Sequence, residues 1–210
     1  MRIDVELATH SVEAELERVV ARLHAAGRPL RGLATLDLRL ANFVVRHREA
    51  DGEHYVYVED AVTGRLAGYT VFNRLIELDR RADRVLRSPH SKYGRLYQRR
   101  GLASAVYRWA LGQGISLLSG PRQSTGANAL WHSLSRGHPL EYVSLKDKVL
   151  SRLGPDPGSD RLEDFHTRMM LLGAGWTFSS IVAGRPSHSD CPQARRITSG
   201  VPQSPEATET

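Results

Sequence analysis

Tyr97-Gln98-Arg99-Arg100-Gly101-Leu102-Ala103-Ser104 is the stretch of this 210-residue chain best equipped for chemistry. A basic loop ends there on a glycine and runs directly into Leu102 to Leu111, an apolar run with helical spacing. The first turn of a helix carries backbone N–H groups with no intrahelical partner and the positive end of the helix dipole, so the junction reads as a cradle for an anion such as a phosphate. Glycine at 101 lets main chain approach that anion closely, small Ala103 leaves the space open, and Arg99 and Arg100 add full charges. No Gly-Lys-Ser/Thr follows, so this is not a Walker loop.

The surroundings of the loop are basic as well. Residues 79 to 100 hold Arg80, Arg81, Arg84, Arg87, Lys92, Arg95, Arg99 and Arg100 against Asp79 and Asp83, an excess equal to the formal +6 of the whole chain. Such a local field concentrates phosphate-bearing ligands, either a nucleotide-like cofactor or nucleic acid. Nucleic-acid binding through 79–100 is therefore the second reading, although only Tyr93 and Tyr97 interleave the arginines and no groove-reading helix is evident.

Gln98-Arg99-Arg100-Gly101-Leu102-Ala103 resembles the pyrophosphate-binding loop of the GNAT N-acyltransferase superfamily: Gln or Arg, two variable residues, Gly, one variable residue, then Gly or Ala. Tyr97 occupies a preceding position that is often aromatic in that family. A second family pattern, a polar residue with Ala three later and an aromatic seven later, is matched by Ser124, Ala127 and Trp131. The likeness is close over residues 97–134 and extends as an element order over 1–172.

The resemblance implies an α/β chain with a mixed sheet, in which acetyl-coenzyme A donates its acyl group directly to an amine. It places the coenzyme's pyrophosphate on the amides from Arg99 to Ser104, with Gln98, Ser124 and Trp131 in the same binding region. The pantetheine arm would lie where a strand ending near Ser88 to Tyr93 splays from Ile115 to Ser119. Two positions depart from the pattern. Pro89 lies nine residues before Gln98, which lengthens the connection, and Trp131 stands where a proton-donating tyrosine is common. Tyr142, Tyr93, Ser133 or solvent is left to protonate the thiolate, and Trp131 keeps open a third reading, a fold relative that binds coenzyme A without catalysis. Glu77 and Asp79 are the expected bases for the amine, with His90 and His132 as further candidates. The plainer reading of both carboxylates is stronger, with Asp79 neutralising Arg80, Arg81 and Arg84 and Glu77 on a solvated strand end.

These residues must be positioned by a modest set of elements. Val12, Leu16, Val19, Val20 and Leu23 form one helical face, with Thr9 or Ser11 as cap and Gly27 then Pro29 as the stop. Ile3, Val5 and Leu7 alternate like a short strand, and residues 33–45 fit either strand or helix. Tyr55 to Asp60 and Arg65 to Leu75 read as a hairpin turning at Gly64. A basic loop, the helix from Leu102, a strand over Ile115 to Ser119 and a helix over Ala127 to Leu134 follow. Two last strands, one through Tyr142, Leu145 and Val149 and one over Phe165 to Leu172, are expected to pair antiparallel. Tyr107, Trp109, Met169 and Met170 read as core, and Trp176 as an edge cover or subunit contact.

With 40% hydrophobic and 25% charged residues the chain fits one globular domain, here 1–183, followed by a flexible Pro/Ser/Thr-rich tail over 184–210. One cysteine, Cys191, excludes an intrachain disulfide, and no histidine spacing suggests a metal. No apolar run approaches the ~20 residues of a membrane span and the start lacks the layout of a secretory signal, so a cytoplasmic protein is expected, with the oligomeric state open and a homodimer compatible with the sequence.

Overall fold

Alternating β-branched and aromatic residues between Phe43 and Asn73 make long strands because each strand sends one set of side chains under one helix and the opposite set under another. The computed structural model describes residues 1–3, 9–78 and 82–185. β1 (Arg2–Ile3) precedes α1 (Thr9–Ala25), and then come β2 (Ala34–Leu36), β3 (Phe43–Ala50), β4 (Glu53–Asp60), β5 (Leu66–Asn73) and β6 (Leu86–Tyr93). α2 (Leu102–Gly112) crosses to β7 (Ser116–Leu118), and β8 (Arg122–Gln123) leads into α3 (Thr125–Leu134). The remaining elements are β9 (Leu140–Lys146), β10 (Val149–Gly154), α4 (Ser159–Leu162), β11 (Thr167–Leu171) and α5 (Phe178–Ala183).

Nine strands form one sheet in the order β10-β9-β11-β7-β6-β5-β4-β3-β2, while β1 and β8 pair separately. Within the large sheet only β6 and β7 run parallel, joined by the α2 crossover. This is the mixed α/β class that the element order implies. Asp51 and Gly52 turn β3 into β4 with φ of 54° and 75°, the pair of positive values that a tight two-residue hairpin needs.

The two faces of the sheet carry separate cores. α2 lays Leu102, Val106, Ala110 and Leu111 on Val45, Val56, Val58, Phe72 and Leu117, with Trp131 of α3 in the same cluster. On the other face, Val12, Leu16, Val19 and Leu23 of α1 pack on Tyr57, Leu66 and Tyr69, while Ile181 of α5 joins Leu86, Leu118, Val143 and Met170 further along. Burial of these aliphatic side chains, worth about 1.5–3 kcal/mol each, is what fixes both helix layers on the sheet.

Several elements differ from their sequence reading. The ambiguous residues 33–45 are no helix: Leu36 ends β2 and pairs with Val45 of β3, while Leu38 and Leu40 lie in the connection between them, where Arg39 and Asn42 take positive φ. The basic 79–100 segment is not all loop: Leu86–Tyr93 forms β6, where the resemblance implied a strand end, paired to β5 from Gly68↔Tyr93 to Asn73↔Ser88. Pro89 and the polar His90, Ser91 and Lys92 disguise it, since none shows the apolar alternation of a half-buried strand. Val149 lies on its own strand, β10, which hairpins onto β9, while β11 pairs antiparallel with β9 as expected. Ser11 lies inside α1, which begins at Thr9. Of the expected first strand only Arg2–Ile3 is described; Val5, Leu7, Asp79, Cys191 and the rest of 186–210 lie outside the described residues. Among the described residues no helix is long and apolar enough to cross a membrane.

Candidate active site

Gly101 is the N-cap residue of α2, with φ 77° and ψ 0°, and among the described residues no side chain caps the helix. The first intrahelical bond runs from the Ala105 amide to the Gly101 carbonyl at 2.9 Å, so the amides ahead of it have no carbonyl to reach within the helix. Arg99 also has a positive φ, 60°. Left-handed residues on both sides of Arg100 give the kind of turn in which successive amides line a concavity suited to an anion. A Cβ placed on Gly101 meets no atom within 4 Å, so the space above the turn is open.

The loop is braced from beneath. Leu102 is buried, whereas Gln98 to Gly101 are exposed and Ala103 and Ser104 half-buried. The Gln98 amide donates to the Tyr93 carbonyl at 3.0 Å, and the Tyr97 hydroxyl donates to Asp60 at 3.0 Å. The Arg100 guanidinium carbon sits 4.9 Å from the Phe43 ring centroid, which keeps that charge over the end of β3.

From this loop an unpaired strand edge leads inward. β6 and β7 are in register only at Leu86↔Ser116 and Arg87↔Leu117, yet β6 continues to Tyr93 with its other edge paired to β5. Among the described residues, then, the main chain from Ser88 to Tyr93 has no strand on its β7 side. Side chains of this segment alternate between the faces. Towards α2, Thr70 lies 2.8 Å from the Ser91 hydroxyl and 3.2 Å from that of Tyr93, and Ser91 donates to Tyr107 at 3.3 Å. Burial pushes the Tyr107 phenol up to about 12 and raises that of Tyr93 as well, so both stay protonated.

Towards α1, the same strand borders a groove of about 370 Å³ between that helix and the sheet. Arg48, Tyr55, Val71 and His90 stand side by side across β3, β4, β5 and β6, each registered with the next, and all line the groove. The Arg48 guanidinium carbon lies 4.4 Å from the Tyr55 ring centroid, and its buried Nε has no hydrogen-bond partner. Arg22 and Arg28, from the end of α1 and just beyond it, line the groove too. Glu15 of α1 accepts from the Tyr69 hydroxyl and pairs with Lys92, tying the helix to the sheet next to His90. Although His90 is exposed at the groove's rim, the loss of some water around its ring and neighbouring Lys92 lower the imidazole below its ordinary value, against a smaller opposing pull from Glu15. His90 is therefore neutral near pH 7 and able to accept a proton.

The remaining expected site residues fall elsewhere. Glu77 is exposed and lines a different cavity, with Lys146, Phe165 and Arg168. Tyr142 is buried in the core on β9, where burial raises its phenol. Trp131 is buried against Tyr107, with ring centroids 6.3 Å apart, and Ser124 caps α3 by accepting from the Ala127 amide at 3.1 Å. His132 is exposed on α3 and Ser133 half-buried. The basic segment does not form one face: Arg87 is buried and donates to the carbonyls of Gly52, Asp83 and Leu86, and Lys92 is paired with Glu15. Among the described residues no three His, Cys, Asp or Glu side chains gather as a metal site would require.

No protein-family model matches the chain and no curated protein sequence is similar to it. Solved structures similar in shape include two acetyltransferases. One is a GNAT-superfamily phosphinothricin acetyltransferase (Pat) from Sinorhizobium meliloti in complex with AcCoA, with a TM-score of 0.42 and 14% identity over 90% of this chain and 94% of that one. Another, provisionally assigned as a phosphinothricin N-acetyltransferase, has a TM-score of 0.36 and 15% identity over 80% of this chain and 94% of that one.

Proposed function

We propose that this chain is an acyl-coenzyme A-dependent N-acyltransferase, with acetyl-coenzyme A as donor and a primary amine as acceptor. One observation carries the reading: the uncapped, open turn at Gly101 is continuous with the edge of β6 that has no strand partner on its β7 side. A diphosphate fits the turn, since free amides, a helix dipole and Arg99 converge there without a side chain in the way. An extended amide-bearing arm fits the edge, which offers main-chain hydrogen bonds as a missing strand would. Bound there, the coenzyme supplies an activated acyl carbon.

The residues of the chain then have separate tasks. Amides from Arg99 to Ser104 hold the anion, and the main chain of Ser88 to Tyr93 orients the arm. The groove under α1 holds the amine against the thioester carbonyl, and that positioning supplies much of the acceleration. A neutral imidazole on His90 takes the proton that the amine gives up as its nitrogen bonds to the acyl carbon and the carbon–sulfur bond breaks. The sulfur leaves with the bonding electrons and takes its proton from solvent, because buried Trp131 donates a hydrogen bond but is no acid.

Isothermal titration with acetyl-coenzyme A tests the donor directly. Binding that weakens when Gly101 is made bulky is the expected result, and no binding at millimolar coenzyme removes the proposal.

A further inference from the structure

The groove under α1 is more than a passage to His90. Three of the side chains lining it are arginines, Arg22, Arg28 and Arg48, and no carboxylate among the described residues lines it. The two carboxylates close by are engaged: Glu15 with Lys92 and Tyr69, and Glu53 with the Tyr55 hydroxyl at 2.8 Å. Arg48 is the telling residue. Its guanidinium carbon lies 4.4 Å from the Tyr55 ring centroid and its side chain also hydrogen-bonds Tyr57, yet its buried Nε has no acceptor among the described residues. A buried donor without a partner is costly, and here the missing partner is one that a ligand in the groove can supply.

Resting on the acyltransferase reading, we infer that the acceptor is a small amine that also carries an anionic group, a carboxylate or a phosphonate-like oxyanion. The anion pairs with Arg48, helped by Arg28 and Arg22, and the amine points along the register line towards His90. Four adjacent strands put the Cα atoms of Arg48 and His90 about 14 Å apart, and both side chains line the groove. A cavity of about 370 Å³ admits an amino-acid-sized molecule and excludes a folded partner.

The test uses the full chain with acetyl-coenzyme A and a panel of amines: ω-amino acids from glycine to 6-aminohexanoate, the aminoalkyl phosphonates of matching length, and the carboxamide of each acid. Thiol release and product mass are followed. At least one anionic series should exceed its carboxamides about tenfold in kcat/KM, with the acid and phosphonate arms telling which oxyanion is preferred. Arg48→Gln and Arg28→Gln should raise KM for the anionic amine about tenfold and leave acetyl-coenzyme A affinity unchanged. Carboxamides that match or beat the charged series, or a charge preference that survives both substitutions, overturn the inference while the donor reading stands. If acetyl-coenzyme A fails to bind, saturation-transfer NMR with the same panel still decides. Signals from the charged amines that fade in Arg48→Gln uphold the anion site, and their absence refutes it.

Discussion

A methyl group added to Gly68 would fall 2.2 Å from Cδ1 of Tyr93, its register partner across β5 and β6. Tyr93 ends the strand whose free edge leads to the Gly101 loop, and its carbonyl receives the Gln98 amide. Gly68→Ala must therefore push the ring or the strand aside. A loss of about 1–3 kcal/mol is expected from such overpacking, read from denaturant melts, together with weaker acetyl-coenzyme A binding. Unchanged stability would mean that Tyr93 is not the fixed wall described above.

Gly101 separates two effects that usually travel together. Its added Cβ touches nothing, so Gly101→Ala costs only the left-handed backbone penalty of about 1–2 kcal/mol. Gly101→Trp adds to that a bulky group over the amides. Titration should show at least a tenfold loss of acetyl-coenzyme A affinity for the tryptophan variant, while thermal melting places both variants within a few degrees of each other.

His90→Gln keeps a polar side chain in the groove and removes the base. A fall of about 10²–10⁴-fold in kcat/KM is expected, with coenzyme affinity intact. The pH profile is the sharper measurement. Because the imidazole sits below its ordinary 6.5, wild-type kcat/KM should fall only as pH drops below that value, and this acid limb should vanish in the variant. A limb that persists unchanged assigns the titration to another group.

A histidine pair on β3 and β4 bears on stability rather than chemistry. His47 Nε2 and His54 Nδ1 are 3.2 Å apart, their rings stacked, with Trp109 against both. Burial lowers both imidazoles, His54 pressing further on His47 and Arg87 on His54, with Glu49 opposing in part. The unfolded chain thus binds more protons between the lowered values and 6.5, so stability should rise with pH through that window and be lost as pH falls through it. Melting temperatures from pH 7.5 down to 5 check this. His47→Phe should flatten the dependence; an unaltered slope would place its origin elsewhere.

How legible these features were depends on whether the signal was local. Ser124 as the cap of α3 and Gly101 at the head of α2 were readable because a helix start advertises itself within a few residues. The β3–β4 hairpin also had a local mark in Asp51-Gly52, a tight-turn dipeptide that the ambiguous leucines nearby obscured. β6 had none. Its odd-numbered Ser91 and Tyr93 satisfy their hydroxyls beneath α2, while His90 and Lys92 face α1, and strand order alone explains why polar residues occupy both faces. Trp131 and Tyr142 lay at plausible spacings for a site, yet both side chains are buried in the core. Spacing along a helix or strand does not say which layer covers it.

Residue type and spacing by themselves determined the mixed α/β class, the glycine turn at Gly101 and the boundaries of its helix, because propensity, capping and a left-handed glycine act over a turn or two of chain. Only the tertiary structure decided that Arg48, Tyr55, Val71 and His90 share one line beneath α1, and that the edge of β6 lies open beside them. These four residues span 42 positions of sequence from first to last, and hydrogen-bonded register, a property of strand pairing rather than of any one strand, is what brings them together.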